Sequence, residues 1–163
     1  MTRITTAATA LEEDVWRPHV TVATVVARDG RFLLVEEDVR GRTVINQPAG
    51  HLEPSETLLD AAVRETLEET GWDVALTCLI GVQQWSSPAG SQFVRFTFGA
   101  DVLRHHADRP LDTGIVRALW LTREEIAAAG TRLRSPMVLA SIDEWLAGRR
   151  LPLDSVRSFD TRP

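Results

Sequence analysis

The hydrophobic positions in the first part of the chain fall in short β-branched runs separated by turn residues. The run VTVATVVAR follows Pro18 and His19, and RFLLVEE follows Asp29 and Gly30. Such runs favour strands, and an Asp-Gly pair between two of them is typical of a two-residue hairpin turn. We therefore predict a β-hairpin with buried strands in this part of the chain.

Further strand-like runs occupy the middle of the chain, at residues 73–84, 92–102 and 115–121. Residues 39–45, which Gly41 interrupts, indicate either a short, more exposed pair of strands or a loop. A turn is expected at residues 86–90. Residues 105–114 mix Pro and Gly with charged side chains and predict a mobile loop.

Residues 55–70 have the periodicity of a helix, which Glu56 would open and Gly71 would end as a C-cap. At about 100° per residue, one arc is wide enough to face a core. That arc contains Leu59, Ala62, Val63, Thr66, Leu67 and Thr70. Glu65, Glu68 and Glu69 fall on the other side, at spacings where side chains are neighbours.

The last third of the chain is predicted to be helical. Residues 122–125 (TREE) form a capping box, and Gly130 is expected to end the short helix that follows. Ser135 and Pro136 are a cap and a first-turn proline for a second helix, which Gly148 would stop. Strands, a central helix, more strands and closing helices together suggest an α/β/α sandwich with a mixed β-sheet.

Composition narrows the class of protein. A chain of 163 residues that is 44% hydrophobic and 25% charged is typical of one globular domain. We expect residues 1–16 to be a flexible segment, residues 17–153 the domain and residues 154–163 a tail. The net charge of −5 argues against nonspecific binding to nucleic acid or an acidic membrane. The single Cys78 is expected to be a buried thiol, and we expect a cytoplasmic protein.

Three clustered carboxylates repel one another unless a positive charge lies between them. Arg64 is one candidate, but a single guanidinium cannot balance Glu65, Glu68 and Glu69. A divalent cation can, and hard oxygen ligands suit magnesium or manganese. The alternative is a solvated acidic helix face. The context favours the metal, because a Gly50-containing loop leads into this helix.

These residues carry a resemblance. The spacing of Gly50, Glu56, Arg64-Glu65, Glu68-Glu69, Gly71 and Trp72 resembles the Nudix box throughout. Only Thr66 departs, because that position usually holds an aliphatic residue. The resemblance implies the Nudix fold, an α/β/α sandwich with a mixed sheet, and an enzyme that hydrolyses phosphoric anhydrides.

The resemblance also implies roles for individual residues. Glu65, Glu68, Glu69 and the carbonyl of Gly50 would hold Mg²⁺, with Mn²⁺ as a substitute; the three glutamates, with Arg64, make the catalytic set. Whether Glu65 is a ligand, the base or both stays open. Arg64 would orient Glu65 and pair with Glu56, with direct contact to a phosphate as the alternative. Glu56 and Gly71 would be structural. The family often has a further carboxylate late in the chain; Asp112 is the candidate here, and Glu53 is an open alternative near the helix.

Segments outside the box resemble one subgroup of the family, the NudJ-type phosphatases, at residues 18–23, 46–53, 84–85 and 133–136. This implies that nucleoside tri- and diphosphates and hydroxymethylpyrimidine pyrophosphate are substrates, with thiamin pyrophosphate as a further candidate, and that orthophosphate is released. Gln47, Trp85 and Arg134 are the candidate substrate-binding residues. Gln47 could hydrogen-bond the edge of a ring or instead bind backbone, and Arg134 could contact a phosphate at the start of the next helix or instead be solvated. Trp85 would form a stacking surface with Phe93 or Phe96. A small pyrophosphate is the expected partner, without nucleic acid or membrane, for a monomer or a homodimer.

Two alternatives remain. One is another Nudix activity, on ADP-ribose, a dinucleoside polyphosphate or a damaged nucleotide. The other is a nucleotide-binding module without turnover. The second is disfavoured, because such modules tend to lose acidic positions of the box and this chain has all three glutamates.

Overall fold

The computed structural model describes residues 15–159, so the expectations for residues 1–14 and 160–163 fall outside the described part. The strands are β1 (His19–Arg28), β2 (Arg31–Val39), β3 (Arg42–Asn46), β4 (Ala49–His51), β5 (Trp72–Ser86), β6 (Gln92–His105) and β7 (Ile115–Leu121). The helices are α1 (Leu58–Thr70), α2 (Arg123–Ala128) and α3 (Met137–Leu146), with 3₁₀ turns at Gly130–Arg132 and Leu153–Ser155. Among the described residues, no helix is long and apolar enough to cross a membrane.

Two tight hairpins open the sheet. Asp29 and Gly30 have φ angles of 52° and 74°, as a type I′ turn requires, which confirms the predicted hairpin. Arg40 and Gly41 repeat this geometry with φ angles of 54° and 78°. Of the two predictions for residues 39–45, the pair of strands is therefore confirmed and the loop is not. β3 is more buried than expected because its second half faces the core.

The seven strands form one mixed sheet in the order β3-β2-β1-β6-β5, with β4 paired to β1 and β7 paired to β2. β1 and β6 run parallel, and the remaining pairs are antiparallel. β1 pairs with β2 near their shared turn and with β4 at its other end. The edge of β1 is thus divided between two strands, and both contribute to the cavity described below.

Alternate strand residues pack on opposite faces of the sheet, as period-2 geometry requires. One layer joins the sheet to α2 and α3 through Val25, Phe32, Leu34, Ile45, Cys78, Ile80, Ile126, Val138 and Ile142. The layer on the α1 side contains Val22, Ala61, Ala62, Leu79 and Phe98. The α/β/α sandwich and the burial of Cys78 are confirmed.

The start of α1 differs from the prediction. Thr57, not Glu56, is the N-cap, and its hydroxyl accepts from the backbone N–H of Asp60. Gly71 ends the helix in the left-handed conformation at φ 72°, as predicted. Glu56 lies before the helix, where its carboxylate is free to meet Arg64.

Thr66, the one departure from the usual box pattern, has a polar partner in the core. Its hydroxyl lies 2.8 Å from the hydroxyl of Thr24 on β1 and donates to the carbonyl of Ala62 at 2.7 Å. A buried hydroxyl without a partner is destabilising, and here both hydroxyls are satisfied. The pair joins α1 to the central strand.

The caps of the last two helices differ from each other. The Thr122 capping box is confirmed, with Glu125 as its reciprocal member. Gly130 begins the 3₁₀ turn rather than ending α2 directly. Ser135 does not cap α3: Pro136 occupies the N-cap position without a side-chain hydrogen bond, and the Ser135 hydroxyl has no partner among the described residues.

Glu36 on β2 ties the sheet to the segment before α3. Its carboxylate accepts from Arg117 at 2.8 Å and from Arg132 at 2.6 Å, and the residue is 7% exposed. These hydrogen bonds, led by that of Arg117, lower the pKa of Glu36 despite burial. A lowered folded-state pKa stabilises the protein above the ordinary value of 4.5, and the contribution is lost as pH falls through the folded-state pKa.

Glu36→Gln should therefore lower the free energy of unfolding near neutral pH by about 1–3 kcal/mol, since both arginines are half exposed and lose only part of their stabilisation. The difference from the wild type should shrink in acid. Urea denaturation at about pH 7 and about pH 3 measures both values. Glu124→Gln, at an exposed position, is the control. An equal difference at both pH values would contradict the prediction.

Candidate active site

The side chain of Arg64 joins the loop before α1 to the acids on that helix. Its Nε and Nη2 donate to the two carboxylate oxygens of Glu56 at 3.0 and 2.8 Å. Its Nη1 donates to Glu65 and to Glu68, each at 2.9 Å, and Nη2 also reaches the carbonyl of His51 at 3.2 Å. These hydrogen bonds, above all the one to Glu56, raise the pKa of Arg64, and they lower that of Glu56. The expected Arg64–Glu56 pair is present.

Two of the three glutamates are buried, so the solvated helix face considered as the alternative does not describe them. Glu65 and Glu69 are 8% and 7% exposed, and only Glu68 is partly open to solvent. The periodicity did not show that β4 and its loops cover this face of α1. The backbone N–H of Ala49 donates to Glu69 at 2.8 Å, and a Cβ on Gly50 would overlap the carboxyl of Glu65. The carboxyl of Glu65 thus occupies the space that a side chain at position 50 would fill.

Burial opposes the ionisation of these two acids. It raises the pKa of Glu69 to about 9, and the charges of Glu37, Glu65 and Asp112 add to the effect. Burial also raises the pKa of Glu65, although the hydrogen bond and the charge of Arg64 oppose it. Burial is thus the main cause of the raised pKa of both acids.

The two buried glutamates line a cavity of about 390 Å³, which we call the inner cavity. Its lining consists of Thr21, Glu37, Asn46, Ala49, Gly50, His51, Glu53, Glu65, Glu69, Trp85, Phe93, Arg95, Asp112, Arg134, Ser135 and Met137. A larger outer cavity of about 810 Å³ shares Trp85, Phe93, Arg134 and Ser135 with it. Glu68 and Arg64 lie beside the inner cavity rather than on its wall.

The loop between β6 and β7 places Asp112 in this site. The backbone N–H of Asp112 donates to the carbonyl of Glu68 at 2.9 Å, which fixes the loop against the end of α1. Asp112 thereby lines the same cavity as Glu65 and Glu69. Glu53 lines it too, from an exposed position. The structure thus brings the late carboxylate that the sequence left open to the acidic wall.

The opposite wall of the inner cavity contains an arginine that the sequence did not reveal. Arg95 on β6 is 6% exposed, and burial lowers its pKa to about 10. Its Nη1 lies 3.5 Å from Oε1 of Gln47, at the limit of a hydrogen bond. Gln47, a candidate substrate-binding residue, is 1% exposed and does not line either the inner or the outer cavity.

Aromatic side chains form a short stack at the junction of the two cavities. Trp85 and Phe93 are stacked with ring centroids 5.5 Å apart, and Phe93 stacks on His19 at 5.0 Å. Phe96 packs against the core on the α1 side. Of the two phenylalanines considered from sequence, Phe93 is therefore the one beside Trp85 in the cavity.

The donor set fits a divalent cation. Two buried carboxylates, Asp112 and the Gly50 carbonyl are hard oxygen donors, and their mutual repulsion is what a cation would relieve. Among residues 15–159, no group of three or more His, Cys, Asp or Glu side chains is arranged to hold a metal by itself.

Comparisons with known proteins agree with this geometry. A sequence model described as the NUDIX domain matches residues 16–141. The protein "Phosphatase NudJ" of Escherichia coli strain K12 is 43% identical over 145 residues, which cover 89% of this chain and 94% of that protein. Shigella flexneri has a protein of the same name with the same values. A solved NUDIX hydrolase from Nitrosomonas europaea is 44% identical with a TM-score of 0.87, covering 90% of this chain and 100% of that one.

Gly50→Ala should lower the free energy of unfolding by about 1–3 kcal/mol, because the added methyl group and the Glu65 carboxyl would occupy the same space. Denaturant unfolding measures the loss. Gly81→Ala is the matched control, since its Cβ would meet only the end of Glu144, at 3.4 Å. In a double-mutant cycle, Glu65→Ala should remove most of the effect of Gly50→Ala. Additive losses would show that the two residues do not compete for space.

Proposed function

Since this chain belongs to the Nudix family and is a Nudix hydrolase, we propose that it hydrolyses small pyrophosphates with Mg²⁺, for which Mn²⁺ can substitute. The proposed substrates are nucleoside tri- and diphosphates and hydroxymethylpyrimidine pyrophosphate, with thiamin pyrophosphate as a further candidate, and the released product is orthophosphate. The observation that carries the proposal is the meeting of Glu65, Glu69 and Gly50 in a cavity that continues to Trp85 and Arg134. The 43% identity to proteins named phosphatase NudJ supports the choice of substrates.

In this proposal Glu65, Glu68, Glu69 and the carbonyl of Gly50 hold the cation, and Asp112 is a further donor from the loop. A bound divalent ion would neutralise phosphate oxygens and lower the pKa of a water molecule. Arg64 acts as a positioning residue: held by Glu56, it fixes the carboxylates of Glu65 and Glu68 from the side away from the cavity. Prior alignment of the reacting groups lowers the barrier because little ordering is left for the reaction itself.

The organic part of the substrate is assigned to the outer cavity. Its volume of about 810 Å³ is twice that of the inner cavity, and Trp85 and Phe93 offer a flat apolar surface between the two. Aromatic side chains bind planar rings by offset stacking. Arg134 lies at the same junction, where it would contact a phosphate. Gln47 contributes indirectly, by contacting Arg95.

We propose a single Nudix domain at residues 17–153, in agreement with the NUDIX match at residues 16–141. A reducing cytoplasm is supported by the one buried thiol, Cys78. The partner is a small pyrophosphate rather than nucleic acid or membrane, and the protein is proposed to be a monomer or a homodimer.

A substrate panel with magnesium should distinguish the proposed activity from its alternatives. Orthophosphate and pyrophosphate are measured separately for nucleoside di- and triphosphates, hydroxymethylpyrimidine pyrophosphate, thiamin pyrophosphate, ADP-ribose and an oxidised nucleotide. We expect orthophosphate from a nucleoside diphosphate. Release of pyrophosphate from a triphosphate would favour a nucleotide-cleansing enzyme, and turnover of ADP-ribose alone would favour the other Nudix activity. Binding without any turnover would indicate a sensor module.

Glu69→Gln should reduce magnesium-dependent kcat by at least about a hundredfold with little change in thermal stability. The amide has the shape of the carboxyl and still accepts from Ala49, but it lacks the charge that the cation needs. Steady-state kinetics and a melting curve test both parts. The exposed Glu124→Gln variant has the same change of charge and should retain full activity. Unchanged turnover in Glu69→Gln would refute the metal assignment.

A further inference from the structure

Buried polar atoms without partners are concentrated around the inner cavity. Of the seven such side-chain atoms among the described residues, five belong to residues that line it: Thr21 Oγ1, Glu37 Oε1, Asn46 Oδ1, Arg95 Nε and Ser135 Oγ. A sixth, Nε2 of Gln47, belongs to the residue that contacts Arg95. Unpaired polar atoms in a protein interior are destabilising, so such a concentration indicates groups that await a ligand.

Arg95 is the most informative member of this set. Among residues 15–159 it has no carboxylate within salt-bridge distance, and its contact with Gln47 is long at 3.5 Å. Arginine is rarely buried unless it is paired with an anion. Here the guanidinium lines an open cavity, so the missing anion has room to bind from solvent.

Ser135 and Arg134 line the same cavity as Arg95 and are suited to the same anion. Ser135, 5% exposed, offers an unpartnered hydroxyl directly before α3, and Arg134 precedes it. The N-terminal end of a helix carries a partial positive charge that favours anions. Two carboxylates oppose these charges: Glu37, with Oε2 at 3.9 Å from Nε of Arg134, and Glu69, whose charge also acts on Arg95. Neither carboxylate lies within salt-bridge distance of Arg95, whose Nε has no hydrogen-bond partner among the described residues.

The wall also lies at a suitable distance from the acidic side. Thr21 on β1 pairs with His51 of β4 on one side and with Arg95 of β6 on the other. Arg95 is therefore two strand spacings, about 10 Å, from the strand that carries Gly50. An interval of this size has room for a diphosphate. One end of the cavity thus suits a cation and the other an anion.

We propose that Arg95 and Ser135, with Arg134, form the subsite that binds the terminal phosphate of the substrate. The inference rests on the proposed function and deepens it, because it assigns the class of phosphate that the site accepts. A terminal phosphate has three free oxygens and up to two negative charges, which match several donors and two guanidinium groups. In a bridged diphosphate the corresponding phosphate carries a second ester group and less charge. The subsite therefore favours nucleoside di- and triphosphates over ADP-ribose.

Isothermal titration with inorganic phosphate, in the absence of metal, tests the subsite directly on the full chain. The wild type should bind phosphate, and Arg95→Gln should bind it at least about tenfold more weakly, because a charge-assisted hydrogen-bond donor is lost. Arg95→Lys should give an intermediate affinity. Arg104→Gln is the matched control, with the same change of charge at an exposed position of the same strand. Equal phosphate affinity of the wild type and Arg95→Gln, or no binding by the wild type, would overturn the proposal.

Ser135→Ala covers the case in which Arg95→Gln fails to fold. It removes one buried hydroxyl without a partner, and it should weaken phosphate binding severalfold without lowering the melting temperature. Unchanged phosphate affinity in Ser135→Ala would count against the subsite.

A kinetic comparison separates this proposal from the activity on which it rests. The ratio of kcat/KM for ADP to that for ADP-ribose should fall at least about tenfold in Arg95→Gln, mainly through KM for ADP. If the wild type hydrolyses ADP but the ratio is unchanged in the variant, the subsite is wrong and the activity stands. If the wild type hydrolyses neither compound while phosphate binding depends on Arg95, the activity is wrong and the anion subsite stands.

Discussion

The guanidinium of Arg64 is the interaction on which the arrangement of the site depends. Its planar donors are shared between Glu56 in the loop, the His51 carbonyl at the end of β4, and two acids of α1. A lysine has no such fixed fork and could not hold so many acceptors in one plane. Arg64 does not line the inner cavity, so it pairs with the carboxylate of Glu65 from the side away from that cavity.

This one-sided compensation explains the polarity of the inner cavity. Its acidic wall is built from α1, β4 and the loop that carries Asp112, whereas its basic wall comes from β6 and the start of α3. The two walls come from segments far apart in the chain, and the central β1–β6 pair brings them together. The parallel pairing of these strands is thus a condition for the site as well as for the fold.

Local sequence patterns predicted the secondary-structure elements well, but they predicted the burial of charged residues poorly. The Asp29-Gly30 turn, β7, the Thr122 capping box and the Gly71 cap depend on neighbouring residues, so the sequence displays them directly. The acidic residues that support the Nudix assignment were also visible, because their spacing follows one helix. Burial of Glu65 and Glu69 was not, since it depends on β4 covering α1.

Arg95 shows the same limit more sharply. In sequence it is an ordinary polar position in an alternating strand. It is buried because other segments cover that face of β6: Gln47 contacts it, and Arg134, Ser135 and Met137 line the same cavity. Local sequence patterns do not determine the order of the strands in the sheet. The basic wall of the inner cavity could therefore be identified only from the folded chain.

The Thr24–Thr66 pair has a consequence for how this core can diverge. Thr66 already donates to the carbonyl of Ala62, so replacing Thr24 with valine first removes a donor and leaves every remaining hydrogen paired. Replacing Thr66 first leaves the hydroxyl hydrogen of Thr24 buried without an acceptor. In evolution toward the aliphatic residue usual at position 66, replacing Thr24 first is therefore tolerated, whereas replacing Thr66 first is destabilising.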